Sequence, residues 1–421
     1  MLNKFMRIKQ LLIPILLVLI LVMFNKVFFN TFKHANSYFK SSSLYSNDMT
    51  TPQKLFDKTW KIISNDYYET SFNHQDWGRW KNRYQGKILT DDDAKVAIDT
   101  MIESLNEPYT RFLSKKDFDD LATSISSKIY GIGVNIYSNA GKIEIFNVMP
   151  STPADFAMLK QGDIIIAVDG KDINGMNVSE VASLVRGPEN SVVELTILRG
   201  NEKLIKKIKR KEIKIKNVKS SMIDNHIGYI QVVSFMGGTT PNEFIDALDN
   251  TKNSDSIIID LRGNTGGLLD NAVFIANLFI QKGEIVEIIY RNGQKKVLYA
   301  NNDQKIINKP LVVLVNGASA SASEILSGAL KDYNKAKLVG KKTFGKGLVQ
   351  KVVPLPNNTG INVTIARYLT PKGVDINKLG IKPDIEIGNE FDIFTDNSSN
   401  DIQLNTAKEI INKELKKDKS E

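Results

Sequence analysis

The sequence contains no cysteine and only three histidines among its 421 residues. The missing thiols exclude disulfide bonds, thiolate nucleophiles and cysteine-ligated metal sites, although they do not identify the compartment. The histidines are His34, His74 and His226, and none lies in a sequence context that suggests a catalytic base. A base for any hydrolytic reaction has to be sought first among other side chains.

Evidence for nucleic-acid, metal or cofactor binding is also missing. The net charge of +9 is spread over the chain, and the densest basic runs, Lys206–Lys211 and Lys413–Lys419, are not interleaved with aromatic residues. Asp91–Asp93 open a predicted helix, and we interpret them as its N-terminal cap rather than as a cation site. We therefore expect no nucleic-acid partner, no metal and no cofactor.

The N-terminus differs in composition from the rest of the chain. Lys4, Arg7 and Lys9 precede an apolar run from Leu11 to Phe24. This pattern predicts a signal or membrane anchor over residues 1–30, with the N-terminus in the cytoplasm and the remainder exported. Because no small-x-small cleavage site follows closely, an uncleaved anchor is the favoured interpretation, and a buried soluble helix is the alternative.

The rest of the chain predicts a multidomain protein of α/β and β class. Residues 31–127 comprise a polar tether and a helical domain, with apolar residues at helical spacing from Leu55 to Tyr67. Residues 128–213 change to strand periodicity with two short helices. Residues 214–395 alternate strands and helices, which predicts a buried sheet. Residues 396–421 form a polar, lysine-rich tail that ends in a helical stretch.

A run of small residues follows the buried strand predicted at Leu311–Val315. Asn316-Gly-Ala-Ser-Ala-Ser-Ala-Ser-Glu324 leads directly into a predicted helix. This arrangement can place the Ser321 hydroxyl at a helix N-terminus, where free backbone N–H groups are able to bind an oxyanion. The alternative is structural, because Ser321-x-x-Glu324 also matches a helix capping box.

The residue that best suits the role of base is Lys346, in Lys342-Thr-Phe-Gly-Lys-Gly347. A lysine can accept a proton when burial keeps it neutral. The same segment nearly matches a phosphate-binding P-loop, but Gly347 stands where Ser or Thr must bind magnesium, and a strand is predicted after it. Gly131-Ile-Gly133 lacks the third glycine of a dinucleotide-binding loop. Nucleotide binding is therefore not expected.

A third glycine-rich turn, Asp260-Leu-Arg-Gly-Asn-Thr-Gly-Gly267, follows the predicted strand Ile257–Ile259. In this order, the three segments resemble those of the carboxyl-terminal processing proteases. The resemblance implies a serine endopeptidase with Ser321 as nucleophile, Lys346 as general base and Gln350 orienting the lysine. It also implies an oxyanion hole formed by Gly267 and Ala322. Asp332 matches an acidic residue that supports the site, although an ordinary surface helix residue is the alternative.

The same resemblance makes residues 128–213 a PDZ-like domain. Its carboxylate-binding loop would be Gly131-Ile132-Gly133-Val134, which implies protein substrates with free C-termini. Arg186 matches a position at which some family members couple this domain to the active site. An ordinary charge at the end of a helix is the alternative interpretation of Arg186.

The segments Phe72–Trp77, Pro108–Leu113 and Ala366–Lys378 resemble the processing proteases of oxygenic phototrophs. That resemblance implies maturation of a photosystem II reaction-centre precursor, and location in the thylakoid lumen or periplasm. The chain departs from the family at Ala318-Ser319, where the family usually has Gly-Thr or Gly-Ser.

Two other functions remain open from the sequence. The first is a PDZ-bearing binding protein with an inactive protease domain. The second is a hydrolase with a Ser-His-Asp triad that uses His226.

Overall fold

The computed structural model describes residues 50–126, 128–214, 216–301, 307–388 and 401–418. They fall into two compact units. The first unit contains the described residues up to 118 together with Ile288–Lys296 and Leu348–Arg367. The second contains Asp119–Glu287, Val297–Gly347 and the described residues from 368 onwards. The predicted anchor at 1–30 lies outside the described residues, and no helix within them is long and apolar enough to cross a membrane.

The helices have the following bounds: α1 Pro52–Asp66, α2 Gly78–Arg83, α3 Asp91–Glu103, α4 Lys115–Ser126, α5 Pro153–Phe156, α6 Val178–Val185, α7 Thr240–Asn250, α8 Leu269–Asn277, α9 Ala322–Asp332 and α10 Ile402–Asp418. The strands are β1 Arg111–Leu113, β2 Lys128–Gly131, β3 Val134–Asn139, β4 Lys142–Val148, β5 Ile164–Val168, β6 Lys171–Asp172, β7 Val192–Arg199, β8 Glu202–Lys209, β9 Lys211–Lys214, β10 Val218–Ile223, β11 Ile227–Val232, β12 Ser256–Asp260, β13 Gly283–Tyr290, β14 Lys295–Ala300, β15 Leu311–Val315, β16 Lys337–Gly340, β17 Leu348–Leu355, β18 Thr359–Leu369 and β19 Ile385–Glu386.

The helices of the first unit begin at local sequence signals. Thr51 accepts a hydrogen bond from the Lys54 N–H, and Pro52 occupies the first turn of α1. Thr90 and Asp93 form a capping box at the start of α3, and Asp91 and Asp92 lie in the first turn of the same helix. Across the described residues, no group of His, Asp and Glu is placed to hold a metal ion.

Antiparallel strands complete the first unit. Strand β18 pairs with β17 on one side and with β1 on the other. Residues from this sheet join the helical core, which also contains the fully buried Phe56, Ile98 and Met101. The apolar faces of α1 and α3 therefore have a sheet to pack against, which short amphipathic helices need for stability.

The predicted PDZ-like region forms an antiparallel sheet of its own, with the order β3-β4-β5-β7-β8 and with β6 beside β5. Helices α5 and α6 contribute Ala154, Val181 and Val185 to its core. The alternation of buried and exposed residues along β4 and β8 matches a sheet with one face against a core.

The α/β core of the second unit is a six-stranded sheet with the order β10-β11-β12-β15-β16-β19. All neighbouring pairs from β11 to β19 are parallel, and every residue of β12 and β15 is buried. Because β12 and β15 are parallel neighbours, their carboxyl ends lie side by side. The glycine-rich turn after β12 and the serine-rich turn after β15 are therefore adjacent at one edge of the sheet.

The C-terminal segment contributes to this core. The sequence predicts a polar tail over 396–421, of which 401–418 are described. Helix α10 packs Leu404, Ala407 and Ile411 into a cluster with sheet residues such as Ile258 and Leu314. The sequence of this stretch predicts a helix but not its partner, because the apolar residues of the helix pack on a sheet that is distant in the chain.

Candidate active site

Ser321 lies at the junction between the turn after β15 and helix α9. Its backbone adopts φ 54° and ψ −114°, and it is the residue immediately before the first turn of the helix. This conformation is rare for residues other than glycine and costs on the order of 1–3 kcal/mol. The turn places a half-buried serine at a helix N-terminus, as in the nucleophile elbow of α/β-hydrolases.

The neighbouring serines of the Ser-Ala-Ser-Ala-Ser run are buried and hydrogen-bonded to backbone carbonyls. Ser319 Oγ donates to Leu261 O at 2.8 Å, and Ser323 Oγ donates to Asn264 O at 2.8 Å. Both side chains have no exposed surface, whereas Ser321 is partly exposed. Ser321 is therefore the accessible hydroxyl of the three.

The glycine-rich turn after β12 packs directly on Ser321. A Cβ atom added to Gly266 would lie 2.8 Å from Ser321 Cβ, so only glycine fits without a shift. The Gly266 N–H donates to Asn264 Oδ1 at 2.9 Å. Among the described residues, neither the Gly267 N–H nor the Ala322 N–H has a hydrogen-bond acceptor. Within the part of the chain that the structure describes, both predicted oxyanion donors are therefore available to a substrate oxygen.

Glu324 connects the serine turn to the lysine segment, a role that sequence reasoning missed. Its Oε2 accepts the N–H groups of both Ser321 and Lys346 at 2.9 Å. Its Oε1 accepts the Thr343 hydroxyl and the Gly345 N–H. Burial raises the pKa of this fully buried carboxyl group, while the four donors oppose that shift. The sequence indicated Glu324 only as the second residue of a possible capping box with Ser321.

Tyr368 makes a second connection between the same two segments. Its hydroxyl lies 2.6 Å from Lys346 O and 3.1 Å from Ser321 O, within donating distance of both carbonyls. Lys346 itself is half-buried and follows Gly345, whose φ of 90° requires glycine. The structure therefore brings the backbones of the predicted nucleophile and the predicted base together.

Gln350 lies at the start of β17 in the first unit. There its Nε2 is 3.4 Å from Thr364 Oγ1, which donates to a Glu107 carboxylate oxygen at 2.9 Å. The assigned role of Gln350 in orienting the lysine stays a prediction.

Asp332 is the last residue of α9, and its carboxylate accepts the Lys372 N–H at 2.9 Å. This contact fixes the loop after β18, so the described bond of Asp332 is structural. Its assigned role in supporting the site stays a prediction.

The predicted carboxylate-binding loop has a defined conformation. Ile132 is buried in the core of the β module, and Gly133 has φ 88° with no room for a Cβ beside Thr152. The carbonyls of Ile132 and Gly133 accept internal hydrogen bonds, whereas their N–H groups have no acceptor within the described part of the chain. Such N–H groups can bind an anion.

Arg186 forms an exposed ion pair with Asp120 at 3.8 Å at the end of α6. An exposed pair at this distance contributes little to stability. The buried Arg210 makes the stronger contacts, because it donates to Val185 O and Leu184 O at the carboxyl end of α6. Sequence reasoning missed Arg210 and read its segment only as a basic run.

His226 is placed at the wrong end of the sheet to assist Ser321. It immediately precedes β11, whereas Ser321 follows the carboxyl end of the parallel strand β15. Strands of five residues separate these edges by roughly 17 Å. His226 instead contacts Asn412 of α10 through Nε2 at 2.9 Å. This position argues against a Ser-His-Asp triad.

The segment after Gly347 excludes the P-loop alternative. Leu348–Leu355 is a strand that pairs with β18, whereas a P-loop leads into a helix.

Comparisons with known proteins agree with this arrangement. Residues 226–387 match peptidase family S41, and residues 144–199 match the PDZ domain. The chain is 35% identical over 374 residues to a carboxyl-terminal-processing protease of Synechocystis, covering 86% of this chain and 87% of that one. It is 38% identical over 357 residues to the carboxy-terminal processing protease CtpA of Bacillus subtilis, covering 82% and 72%.

A solved structure described as the photosystem II D1 C-terminal processing protease is 31% identical. It aligns with a TM-score of 0.54, covering 80% of this chain and 94% of that one. The resemblance predicted from the motifs is confirmed: an S41 serine peptidase with a PDZ domain. Identity above 30% over most of both chains shows that the protein belongs to the carboxyl-terminal processing proteases.

Proposed function

We propose that this C-terminal processing protease cleaves peptide bonds with Ser321 as nucleophile and Lys346 as general base. The observation that supports this pairing is the Glu324 carboxylate, which accepts the backbone N–H groups of both residues. A shared buried acceptor fixes the two segments against each other, and reacting groups have to be held in this way to react efficiently.

In the proposed reaction, the Ser321 hydroxyl attacks the substrate carbonyl carbon and transfers its proton to the neutral Lys346 amine. The carbonyl oxygen becomes an oxyanion, and the N–H groups of Gly267 and Ala322 donate hydrogen bonds to it. The protonated lysine then gives its proton to the leaving amine, which breaks the peptide bond and leaves an acyl-enzyme. Water hydrolyses that ester in the second half of the cycle.

Substitution of the two residues tests the assignment. Ser321→Ala is expected to abolish hydrolysis without unfolding the protein. Lys346→Arg should be inactive, because a guanidinium group stays protonated and cannot accept the serine proton. Lys342→Arg, an exposed lysine of the same segment, is the matched control and should keep full activity. Full activity of Ser321→Ala would refute Ser321 as the nucleophile. A folded wild-type protein without hydrolytic activity would instead support the binding-protein alternative.

The pH dependence of wild-type turnover tests the role of the lysine separately. A free lysine with a pKa of about 10.4 is almost wholly protonated at neutral pH. The rate is therefore expected to rise with pH through one ionisation, as the neutral amine accumulates. A rate that is flat from pH 6 to 10 would mean that another residue is the base.

Substrate selection is the second part of the proposal. The 131–134 loop binds the free C-terminal carboxylate of a protein substrate, and the protease domain cleaves near that end. The N–H groups of Ile132 and Gly133, which have no acceptor among the residues that the structure describes, support this assignment. The solved relative is named for photosystem II D1, so the D1 precursor is the first substrate to test, beside an unrelated precursor with a C-terminal extension.

The third part of the proposal concerns location. The basic, apolar N-terminal segment anchors the protein to a membrane, with residues after 30 on the extracytoplasmic side, in the periplasm or the thylakoid lumen. Protease added to intact cells or isolated vesicles, with an antibody to the PDZ domain as reporter, measures on which side the domain lies. Recovery of the protein in the soluble cytoplasmic fraction would contradict the proposal.

A further inference from the structure

The two candidate oxyanion donors belong to different turns. Gly267 follows β12, whereas Ala322 follows β15. An oxyanion hole requires both N–H groups within hydrogen-bond distance of one developing oxygen. Something must therefore hold the two turns in register, and parallel strand pairing stops at Asp260 and Leu314, before either turn begins.

The first connection between the turns is made by Asn264 and Ser323. The backbone carbonyl of Asn264 accepts the Ser323 hydroxyl at 2.8 Å and the Ala320 N–H at 3.0 Å. The side chain of Asn264 is fixed at both ends, since Nδ2 donates to Val232 O and Oδ1 accepts the Gly266 N–H. This asparagine and this serine have no exposed surface.

The second connection is made by Ser319. Its hydroxyl donates to Leu261 O at 2.8 Å and accepts the Asn316 N–H at 3.0 Å. The Asn316 side chain extends the contact, because its Oδ1 accepts the Gly263 N–H at 3.1 Å. Hydrogen bonds from both flanking serines thus end on backbone carbonyls of the glycine-rich turn.

We propose that Asn264, Ser319 and Ser323 are positioning residues that hold the Gly267 and Ala322 N–H groups in register for the transition state. The proposal rests on the proposed function, because it assumes Ser321 as nucleophile. It assigns separate roles to the three alternating serines. The central one reacts, and the outer two brace its turn against the neighbouring turn.

The physical reason lies in the geometry of charge stabilisation. The hydroxyl bonds are buried, so water does not compete with them. Loss of one of these serine hydrogen bonds is expected to let the two turns shift by a fraction of an ångström. A shift of about 1 Å at a reacting site can cost about a hundredfold in rate. The N–H groups stabilise the oxyanion of the transition state more than the carbonyl of the bound substrate. The loss of a positioning contact should therefore lower kcat and leave KM unchanged.

Ser323→Ala tests the proposal, with Ser327→Ala as the matched control. Ser327 is equally buried on the same helix, and its hydroxyl donates to Ser323 O at 2.7 Å, within α9 rather than to the other turn. Both variants lose one buried serine hydroxyl bond. The measurements are kcat and KM on a peptide substrate, the inhibition constant of a peptide boronate that mimics the tetrahedral intermediate, and the melting temperature.

Ser323→Ala is expected to lower kcat about tenfold to a hundredfold with KM unchanged, and to weaken boronate binding by a similar factor. Ser327→Ala should keep wild-type kcat and boronate binding, even if its melting temperature falls as much as that of Ser323→Ala. Ser319→Ala provides an independent test if Ser323→Ala does not fold. A folded Ser323→Ala with wild-type kcat, or an equal loss of kcat in Ser327→Ala, would contradict the proposed positioning role. An active Ser321→Ala would overturn the proposed function itself.

Discussion

The two consecutive glycines of the turn after β12 have different roles. The sequence resemblance selects Gly267 as the oxyanion donor, and its N–H has no acceptor among the described residues. Gly266 instead lets the turn approach Ser321, and its N–H is already bound to Asn264. A motif in one dimension does not distinguish a glycine that donates from a glycine that only makes room.

Gly266→Ala is expected to reduce turnover by at least tenfold. The added methyl group would meet Ser321 Cβ at 2.8 Å and Ala320 O at 2.7 Å, and it would occupy a φ of 102°. Overpacking of this kind costs roughly 1–3 kcal/mol or more of folding free energy. Relief of the clash would displace Ser321, the candidate nucleophile, and so lower turnover. Steady-state kinetics with circular dichroism as a check on folding measure the effect.

Gly170→Ala is the control for this variant. It also has a positive φ, of 76°, but a Cβ added there meets no atom within 4 Å. It should cost stability through backbone strain while leaving kcat intact. Equal kinetic losses in the two variants would show that strain rather than contact with Ser321 is responsible.

At the scale of elements, helix α10 is tied to the core by charge as well as by apolar contacts. Arg262 pairs with Asp260 at 2.7 Å and with Asp401 at 2.8 Å, and all three side chains are largely buried. Asp401 also accepts the Leu404 N–H and so begins the helix. Burial by itself raises the pKa of the Asp401 carboxyl group. Hydrogen bonds from Arg262 and from the Leu404 N–H outweigh burial and hold this pKa below its ordinary value.

Ile411→Ala is expected to destabilise the second unit by about 2–5 kcal/mol, because Ile411 is fully buried between α10 and the sheet. Ile402→Ala on the same helix is the control. Ile402 is 49% exposed and should cost at most about 0.5 kcal/mol. Denaturant unfolding measures both, and similar effects of the two would mean that α10 does not pack on the core in solution.

The contact between His226 and α10 is expected to depend on pH. Two hydrogen bonds raise the pKa of His226 above its ordinary value. The larger effect comes from the Asn412 side chain and the smaller from the Asp224 carbonyl. A raised pKa in the folded state means that this contribution is complete below about pH 6.5 and is lost as pH rises through the folded pKa.

We therefore expect Asn412→Ala to lower the melting temperature at pH 5.5 and to have a smaller effect at pH 9. Thermal melts of both proteins across this range measure the difference. An NMR titration of the His226 ring should show a lower pKa in the variant. An effect of the substitution that is independent of pH would contradict the assignment.

At the scale of the whole molecule, the proposal assigns substrate recognition and hydrolysis to separate segments. The candidate carboxylate-binding N–H groups are those of Ile132 and Gly133, just before the residues that match the PDZ domain, and the candidate catalytic residues Ser321 and Lys346 lie within the residues that match the peptidase family. In this proposal, binding energy from the substrate C-terminus holds a remote peptide bond at Ser321, the candidate nucleophile.

Amidation of a substrate C-terminus is expected to raise KM by roughly ten- to a hundredfold. A hydrogen bond to a charged group contributes on the order of 1.5–3 kcal/mol, and the amide lacks that charge. Matched acid and amide peptides, compared by product mass spectrometry, measure the effect. Gly133→Ala, whose methyl group would meet Thr152 at 2.4 Å, should remove the preference. Equal cleavage of both peptides by the wild-type protein would contradict carboxylate recognition.

The sequence by itself was sufficient to identify the family and to predict the order of the domains along the chain. The predicted helical region, PDZ-like β module and α/β core are confirmed. These features are local: periodicity, caps and contiguous motifs such as the one around Ser321 are encoded by residues that are close in the chain.

Only the tertiary structure decided how those motifs are held together. Tyr368 contacts the Ser321 carbonyl across 47 residues, and Glu324 reaches the Lys346 N–H across 22. Ile411 finds its apolar partners on a distant sheet, and His226 is separated from Ser321 by the length of the parallel strands. Each of these outcomes depends on which strands become neighbours. Strand neighbours are set by burial of the whole sheet, and a residue pattern read along one segment does not contain that information.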